Sequence, residues 1–295
     1  MIPYYTLIVI PLIPLLFRYK GIKLGKNIVI SKNELSIGLF FFILIVFVSL
    51  RANTIGNDTR NYIYLFKSFA DMSWKDLFAY QEPAYAILNR LISYISTNPN
   101  VFFFFAALIY IIPIAILYID NIEIPVLTIA LFISMSTFVM LFSGIRQSIA
   151  IALGVIAFYF TKNKKLISFI LVVLLAIMFH RSAFMLAFMY PLYHLRITNK
   201  WLLVVVPIMI IVFVLNKPIF SFLAIFLSSS YEVNVRSTGA YSMIILFALL
   251  SVFSYVVVDE EKMDKTTFGL RNFLLLATML QMFAPLNSLA MRMNY

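Results

Sequence analysis

The feature that most constrains this chain is a series of long apolar blocks separated by short polar stretches. Only 12% of its 295 residues are charged, whereas about 25% are charged in a soluble globular domain. Apolar blocks in so poorly charged a chain are typical of membrane-spanning helices. The blocks occupy residues 2–17, 35–50, 101–119, 124–142, 145–160, 166–179, 183–193, 201–215, 241–258 and 272–289. We therefore predict an all-α, polytopic transmembrane bundle of about ten spans, forming a single membrane domain over residues 1–295.

Several classes of chemistry leave no trace in the sequence. The chain has no cysteine, which excludes disulfides, a thiolate nucleophile and Cys-type metal sites. It also lacks a P-loop, a His-rich metal motif, a GxSxG motif and a DxD-like acid pair. We therefore expect no cofactor, no metal and no nucleotide. The net charge of +11 would favour nucleic acid in a soluble protein, but in a membrane protein basic residues first set topology, so no nucleic-acid partner is expected.

One segment, residues 82–95, decides the predicted topology. Its apolar residues follow one face of a helix, and the other face carries Asn89, Arg90 and Ser93. A helix of 14 residues would reach only about 21 Å, so we predict that it lies along the interface instead of spanning. The basic connections 18–32, 162–165, 196–200 and 262–271 then share one side. The positive-inside tendency makes that side cytoplasmic.

The opposite, outer side receives a different set of basic residues. It contains residues 51–100, 143–144, 180–182, 216–240 and 290–295, and the loops 51–100 and 216–240 are predicted to carry interfacial or re-entrant helices. Seven arginines but only three lysines fall on this side, against three arginines and ten lysines inside. Guanidinium binds phosphate or carboxylate in a bidentate manner, so the bias predicts an anionic ligand outside. The alternative for each arginine is that its side chain extends to the lipid headgroups or holds a loop in place.

Two arginines coincide with predicted helix starts on the outer side. Ser143 and Ser182 are candidate N-caps of helices that begin close to Arg146 and Arg181. A helix N-terminus carries partial positive charge and favours anions, so we predict that Arg146 and Arg181 bind a diphosphate. The alternative is that the two serines only cap their helices and that the two arginines only lie at the membrane interface.

Three residues are candidate general bases. His180 can take a proton near neutral pH, although a histidine at a helix end is often only a hydrogen-bonding group. Asp58 and Glu82 are the competing candidates. Asp58 could instead form an Asx turn, and Glu82 could instead be the carboxylate at the N-terminus of the helix that begins beside Pro83. Weaker candidates for lining a sugar site are Tyr62, Gln147, Tyr231 and Arg236.

The order and spacing of these short motifs resemble the EpsG family of Wzy-type polysaccharide polymerases. The resemblance is carried by Arg51, Gly56, Asp58, Tyr62, Glu82, Gly144, Arg146, Gln147, Ala150, His180, Arg181, Ser182 and Ala183. It implies a metal-independent glycosyltransferase that lengthens O-antigen (lipopolysaccharide), capsule or exopolysaccharide. Polymerisation would occur at the outer leaflet of the bacterial cytoplasmic (inner) membrane, with the active site facing the periplasm or exterior.

The resemblance also implies partners and roles. Polyprenyl-diphosphate-linked oligosaccharide units within the lipid bilayer would be both donor and acceptor, and in such systems chain length can depend on a separate regulator protein. Our hypothesis is that Arg146 and Arg181 hold the donor diphosphate, with assistance from Arg51 and Arg292, while His180 or a carboxylate acts as base.

Two other functions stay open. A flippase or transporter for the same lipid-linked sugars could also use arginines on the diphosphate, but it would need access from both sides. A membrane acyltransferase that modifies the polysaccharide could use His180 in its chemical step, and it would need a path for the acyl donor.

Overall fold

The computed structural model describes residues 2–17, 22–24, 28–134, 136–227, 241–257, 259–283 and 285. These residues are almost wholly helical, which confirms the predicted all-α class. The one departure within the described residues is a small antiparallel hairpin of β1 (Ile22–Leu24) and β2 (Ile28–Ile30), in which Lys23 pairs with Val29.

The chain forms two compact units, of which the first comprises Met1–Ala157 and Ile170–Phe184. Its helices are α1 (Ile2–Leu16), α2 (Lys32–Ser49), α3 (Thr59–Asp71), α4 (Trp74–Ala79), α5 (Pro83–Ser93), α6 (Pro99–Asp120), α7 (Pro125–Ser134), α8 (Ser136–Ser143), α9 (Ile145–Lys162) and α10 (Leu166–Phe179). In this unit α2 packs against α1, α6 and α7, while α5 packs against α3, α4 and α6. The last residues of α9 and the first of α10 belong to the second unit.

The second unit comprises Phe158–Phe169 and Met185–Tyr295. Its helices are α11 (Met189–His194), α12 (Leu202–Val214), α13 (Asn216–Leu227), α14 (Tyr241–Val256) and α15 (Lys265–Gln281), with 3₁₀ helices at Asn199–Trp201 and Glu260–Lys262. α15 packs against α11, α12 and α14. Arg271 of α15 is buried and donates from Nη2 to the Ile197 carbonyl at 2.9 Å and to Glu260 at 3.1 Å, which ties the connections at one end of this unit together.

The helices carry the exposed apolar surface of a multi-pass membrane protein. By length and composition, α2, α6 and α9 can each cross a membrane, and several shorter apolar helices accompany them in the described residues. Large apolar side chains lie on the outside, such as Phe42 with 63% and Leu203 with 82% of its surface exposed. A soluble monomer rarely exposes apolar patches of this extent. The number of about ten spans stays a prediction.

Within the described residues, the predicted apolar blocks fall mainly on helices, and one of them differs in helix type. Block 183–193 begins as a 3₁₀ helix, Arg181–Phe188, and becomes α-helical only in α11. The N–H of Arg181 donates to the side chain of Glu82 at 3.3 Å. A tertiary contact therefore sets the start of this helix, which the apolar pattern could not reveal.

The helix predicted at residues 82–95 exists as α5. Asn89 on its polar face is fully buried, and its Nδ2 donates to the Tyr85 carbonyl at 2.7 Å. Leu91 and Ile95, which belong to the apolar series, are 49% and 66% exposed. The placement of this helix along the interface stays a prediction.

Candidate active site

Four residues from three distant segments meet in one cluster, which we call the ion cluster: Glu82, Arg146, His180 and Arg181. Oε2 of Glu82 forms an ion pair with Nη1 of Arg146. Oε1 lies 3.0 Å from Nδ1 of His180 and accepts the backbone N–H of Arg181 at 3.3 Å. The Glu82 side chain is 4% exposed, against 28% for Arg146 and 20% for His180. The carboxylate is therefore the buried member, and its two partners keep accessible surface.

Local structure explains how each member reaches the ion cluster. Glu82 is the N-cap residue of α5, and Pro83 occupies the first helical position, where its missing N–H costs nothing. The Glu82 side chain makes no capping bond to its own helix, so both oxygens serve tertiary contacts. Arg146 lies in the first turn of α9, and His180 immediately follows α10.

The ion cluster keeps Glu82 ionised. Burial alone would raise the pKa of Glu82, but the hydrogen bond from His180, the charges of Arg146 and His180, and the N–H of Arg181 together lower it below its ordinary value. Glu82 is thus a weak base with both oxygens occupied, and it is suited to orienting the imidazole and the guanidinium.

The loop after α2 packs against the turn between α8 and α9. Nη1 of Arg51 donates to the Leu141 carbonyl at 3.4 Å, and the N–H of Asn57 donates to Oγ of Ser143 at 3.3 Å. The last carbonyls of a helix lack partners within it, and Arg51 satisfies one at the negative end of α8. This loop therefore fixes the turn from which Arg146 starts.

Gly56 makes the close approach of this loop possible. Its φ is +88°, and a Cβ atom at this position would lie 2.2 Å from the Phe142 carbonyl oxygen. No side chain fits there, and the positive φ itself favours glycine.

Arg51 is a buried cation. Its exposure is 4%, and its guanidinium carbon lies 4.1 Å from the centre of the Phe103 ring. Tyr110 donates its hydroxyl to the same Leu141 carbonyl at 2.9 Å. Within the described residues, Nε and Nη2 of Arg51 have no hydrogen-bond partner.

Two tyrosines surround Arg146. Tyr62 is 2% exposed and lies close enough to Arg146 for the arginine to influence the pKa of its phenol. Burial raises the pKa of Tyr62, so the phenol stays protonated. The ring of Tyr85 lies 5.6 Å from the guanidinium carbon of Arg146. Sequence reasoning missed Tyr85, although its place three residues after Glu82 on a helix was a usable signal.

The remaining predicted residues are less tightly held. Asp58 precedes α3, is half-buried and makes no capping bond to that helix. Gln147 is buried beside Arg146 in α9. The side chain of Arg181 is exposed, and its Nε donates to the Gln81 carbonyl at 3.4 Å. Arg292, Tyr231 and Arg236 lie outside the described residues.

The two predicted N-caps are wrong. Ser143 is the last residue of α8, and its Oγ accepts from Asn57. Ser182 lies inside the 3₁₀ helix, and His180 precedes that helix. The glutamate that binds the N–H of Arg181 is 99 positions away in sequence, so a local capping rule could not identify it.

The ion cluster combines two chemical capacities. Guanidinium groups with accessible surface bind phosphate-type anions, and an imidazole whose Nδ1 contacts a carboxylate can present its other nitrogen as a base. Across the described ranges, no three His, Cys, Asp or Glu residues are grouped so as to hold a metal ion.

These features define an α-helical, multi-pass membrane protein with a partly exposed cationic site. The EpsG family model matches residues 34–295, nearly the whole chain, and the protein belongs to this family of Wzy-type polymerases. The resemblance of the short motifs is thereby confirmed. No curated protein and no solved structure matches the chain.

Proposed function

We propose that the protein joins polyprenyl-diphosphate-linked oligosaccharide repeat units at the outer leaflet of the bacterial cytoplasmic membrane, in O-antigen, capsule or exopolysaccharide biosynthesis. Membership of the EpsG family supports the class of reaction. The observation that carries the residue assignment is the ion cluster, because the contacts of Glu82 bring an anion-binding arginine and a potential base together.

In this proposal Arg146 and Arg181 bind the donor diphosphate. The Glu82 carboxylate pairs with the guanidinium of Arg146 and contacts only the backbone N–H of Arg181. The accessible surface of Arg146 and the exposed side chain of Arg181 therefore leave donors for a second anion. A diphosphate leaving group needs stabilisation of its developing charge more than it needs a proton, and arginines in a water-poor site supply this stabilisation.

His180 is the proposed general base. Glu82 accepts the Nδ1 proton at 3.0 Å and thereby favours the tautomer with a lone pair on Nε2. A hydroxyl of the acceptor sugar attacks the anomeric carbon of the donor and forms the new glycosidic bond. The bond from that carbon to the diphosphate oxygen breaks, polyprenyl diphosphate departs, and the hydroxyl proton passes to Nε2.

The other predicted residues take supporting roles in the proposal. Arg51, being buried against Phe103 and bound to the end of α8, positions the turn before Arg146 more readily than it reaches a substrate. Asp58, with no capping bond, is available to bind a sugar hydroxyl.

The proposed topology has about ten spans, with the ion cluster toward the periplasm or exterior. The basic connections 18–32, 162–165, 196–200 and 262–271, which the positive-inside tendency assigns to the cytoplasm, support this orientation. It would let the bilayer deliver lipid-linked substrate to the side on which the arginines gather.

The test is the ladder of surface polysaccharide in cells that carry a single variant at equal protein levels. We expect His180→Ala and Arg146→Lys to leave short, single-repeat glycan. Arg146→Lys retains the charge opposite Glu82 and so limits loss of folding, but it removes the planar group that binds phosphate. Arg60→Ala, at an exposed position on α3, is the matched control and should give normal chains.

Normal long chains from both site variants would contradict the proposal. The same chromatogram separates the two other functions, because loss of a flippase abolishes the glycan and loss of an acyltransferase leaves full-length, unacylated glycan.

A further inference from the structure

Glu82 binds the arginine that the proposed function assigns to the donor diphosphate, and it also contacts the proposed base. Its Oε2 holds Nη1 of Arg146, while its Oε1 holds Nδ1 of His180 and the N–H of Arg181. A single buried carboxylate thus satisfies, at once, the proposed diphosphate ligand and the proposed base.

Exposure distinguishes the carboxylate from its partners. Glu82 is 4% exposed, whereas Arg146 and His180 keep 28% and 20% of their side-chain surface accessible. An anion that arrives from the accessible side therefore meets Arg146 first and finds Glu82 already bound behind it. Two anions next to one guanidinium repel each other, and the repulsion is strong where burial limits screening.

We propose that Glu82 is an internal anion that occupies Arg146 in the empty enzyme and gives it up when the donor diphosphate binds. The inference rests on the proposed function, since it takes Arg146 as the diphosphate ligand. Glu82 is then a positioning residue that competes with the substrate, and it makes no contact with the reacting atoms.

The exchange links donor binding to the base. When the diphosphate takes over Arg146, Glu82 keeps its contact with Nδ1 of His180, and its charge is no longer shared with the guanidinium. A carboxylate freed in this way better stabilises the imidazolium that forms when His180 accepts a proton. Donor binding therefore strengthens the contact that orients the imidazole for proton transfer.

Tyr62 and Tyr85 give the arginine a stable position during the exchange. The phenol of Tyr62 lies close to Arg146, and the guanidinium carbon lies 5.6 Å from the centre of the Tyr85 ring. Both contacts are independent of Glu82, so the guanidinium remains held when the carboxylate leaves.

Binding of inorganic pyrophosphate to the purified full-length protein in nanodiscs tests the inference. We expect Glu82→Gln, which removes the competing charge at nearly constant size, to bind pyrophosphate about tenfold more tightly than the wild type, while its glycan ladder becomes shorter. Arg146→Gln should weaken binding. In the double variant the added Glu82→Gln change should have no effect, because the shared cation is absent.

Each result has a defined meaning. Equal or weaker pyrophosphate binding by a folded Glu82→Gln variant overturns the inference, because Arg146 would then hold both anions together; the proposed function survives if Arg146→Gln still weakens binding. If Glu82→Gln still tightens pyrophosphate binding in the absence of Arg146, the removed charge acts on pyrophosphate without the arginine, and the inference is also overturned. If Arg146→Gln binds pyrophosphate as tightly as the wild type, Arg146 is not a diphosphate ligand, and this part of the proposed function is wrong.

A second variant covers a failure of Glu82→Gln to fold. Glu82→Ala removes the competing carboxylate without leaving an amide among the buried groups, so pyrophosphate should bind more tightly than to the wild type. Binding no tighter than wild type by the folded Ala variant contradicts the inference.

Discussion

Arg51 and Arg146 illustrate two uses of one side chain within the first unit. Arg146 is paired with Glu82 and keeps accessible surface, whereas Arg51 is nearly fully buried and forms no ion pair within the described residues. What stabilises Arg51 is the face of Phe103 and the carbonyl end of α8. The first arrangement suits a ligand that comes and goes, and the second suits a fixed structural contact.

Arg51→Ala should therefore lower stability more than it alters substrate affinity. It leaves the Leu141 carbonyl with one donor fewer and a void beside Phe103, for which we expect a cost of about 2 kcal/mol. Thermal unfolding of the purified protein measures it, with Arg60→Ala, at an exposed position, as control. An Arg51→Ala protein as stable as that control would show that the contact contributes nothing.

Glu82 should make stability depend on acid pH. Its pKa in the folded protein lies below the ordinary value of 4.5, so its ion contacts contribute fully above that value. The contribution is lost as pH falls through the lowered folded pKa. The Tm difference between wild type and Glu82→Gln should accordingly shrink below about pH 4.5. A difference that stays constant down to pH 3 would contradict a lowered pKa.

At the scale of elements, the turn between α8 and α9 organises the site. Arg51, Gly56 and Asn57 all meet its residues, and Arg146 follows directly. The loop after α2 therefore influences the ion cluster by fixing the backbone from which Arg146 follows.

Gly56→Ala should disrupt this element. The new Cβ would lie 2.2 Å from the Phe142 carbonyl oxygen at a φ of +88°, which we expect to cost about 1–3 kcal/mol and to shorten the glycan ladder. Gly38→Ala is the matched control, because nothing lies within 4 Å of a Cβ there and alanine favours the helix by up to about 1 kcal/mol. Equal Tm values for the two variants would show that the loop can move away without loss.

The sequence predicted some of these elements and not others. The apolar blocks located the helices, since a membrane span needs a continuous apolar run. The apolar pattern of α5 did not reveal that Asn89 is buried while Leu91 is exposed, because burial there depends on which neighbouring helices pack against α5. The motifs predicted Glu82, Arg146 and His180 separately, but contacts across 64 and 98 positions depend on the packing of several helices.

For the whole molecule, orientation in the bilayer would connect the site with the proposed lipid-linked substrate. The first unit holds the complete ion cluster, and α2, α6 and α9, which can cross a membrane, begin or lie largely within it. The side of the membrane on which Arg146 lies therefore determines which substrate pool it meets.

The absence of native cysteine allows this orientation to be measured without background labelling. In intact cells, a membrane-impermeant maleimide should label Arg60→Cys, in the predicted outer loop, and should label Asn163→Cys, between α9 and α10, only after the membrane is opened. Both positions are exposed. If only Asn163→Cys were labelled in intact cells, the topology would be the opposite of the one proposed.

The geometry of Glu82 has a consequence for sequence divergence. One carboxylate serves residues 64, 98 and 99 positions away. The contacts of Arg146 and His180 come from their side chains, so replacement of either residue changes what Glu82 must satisfy. Positions 82, 146 and 180 should consequently be inherited as a set and vary together among relatives. Position 38, at which nothing lies near the backbone, is free to drift on its own.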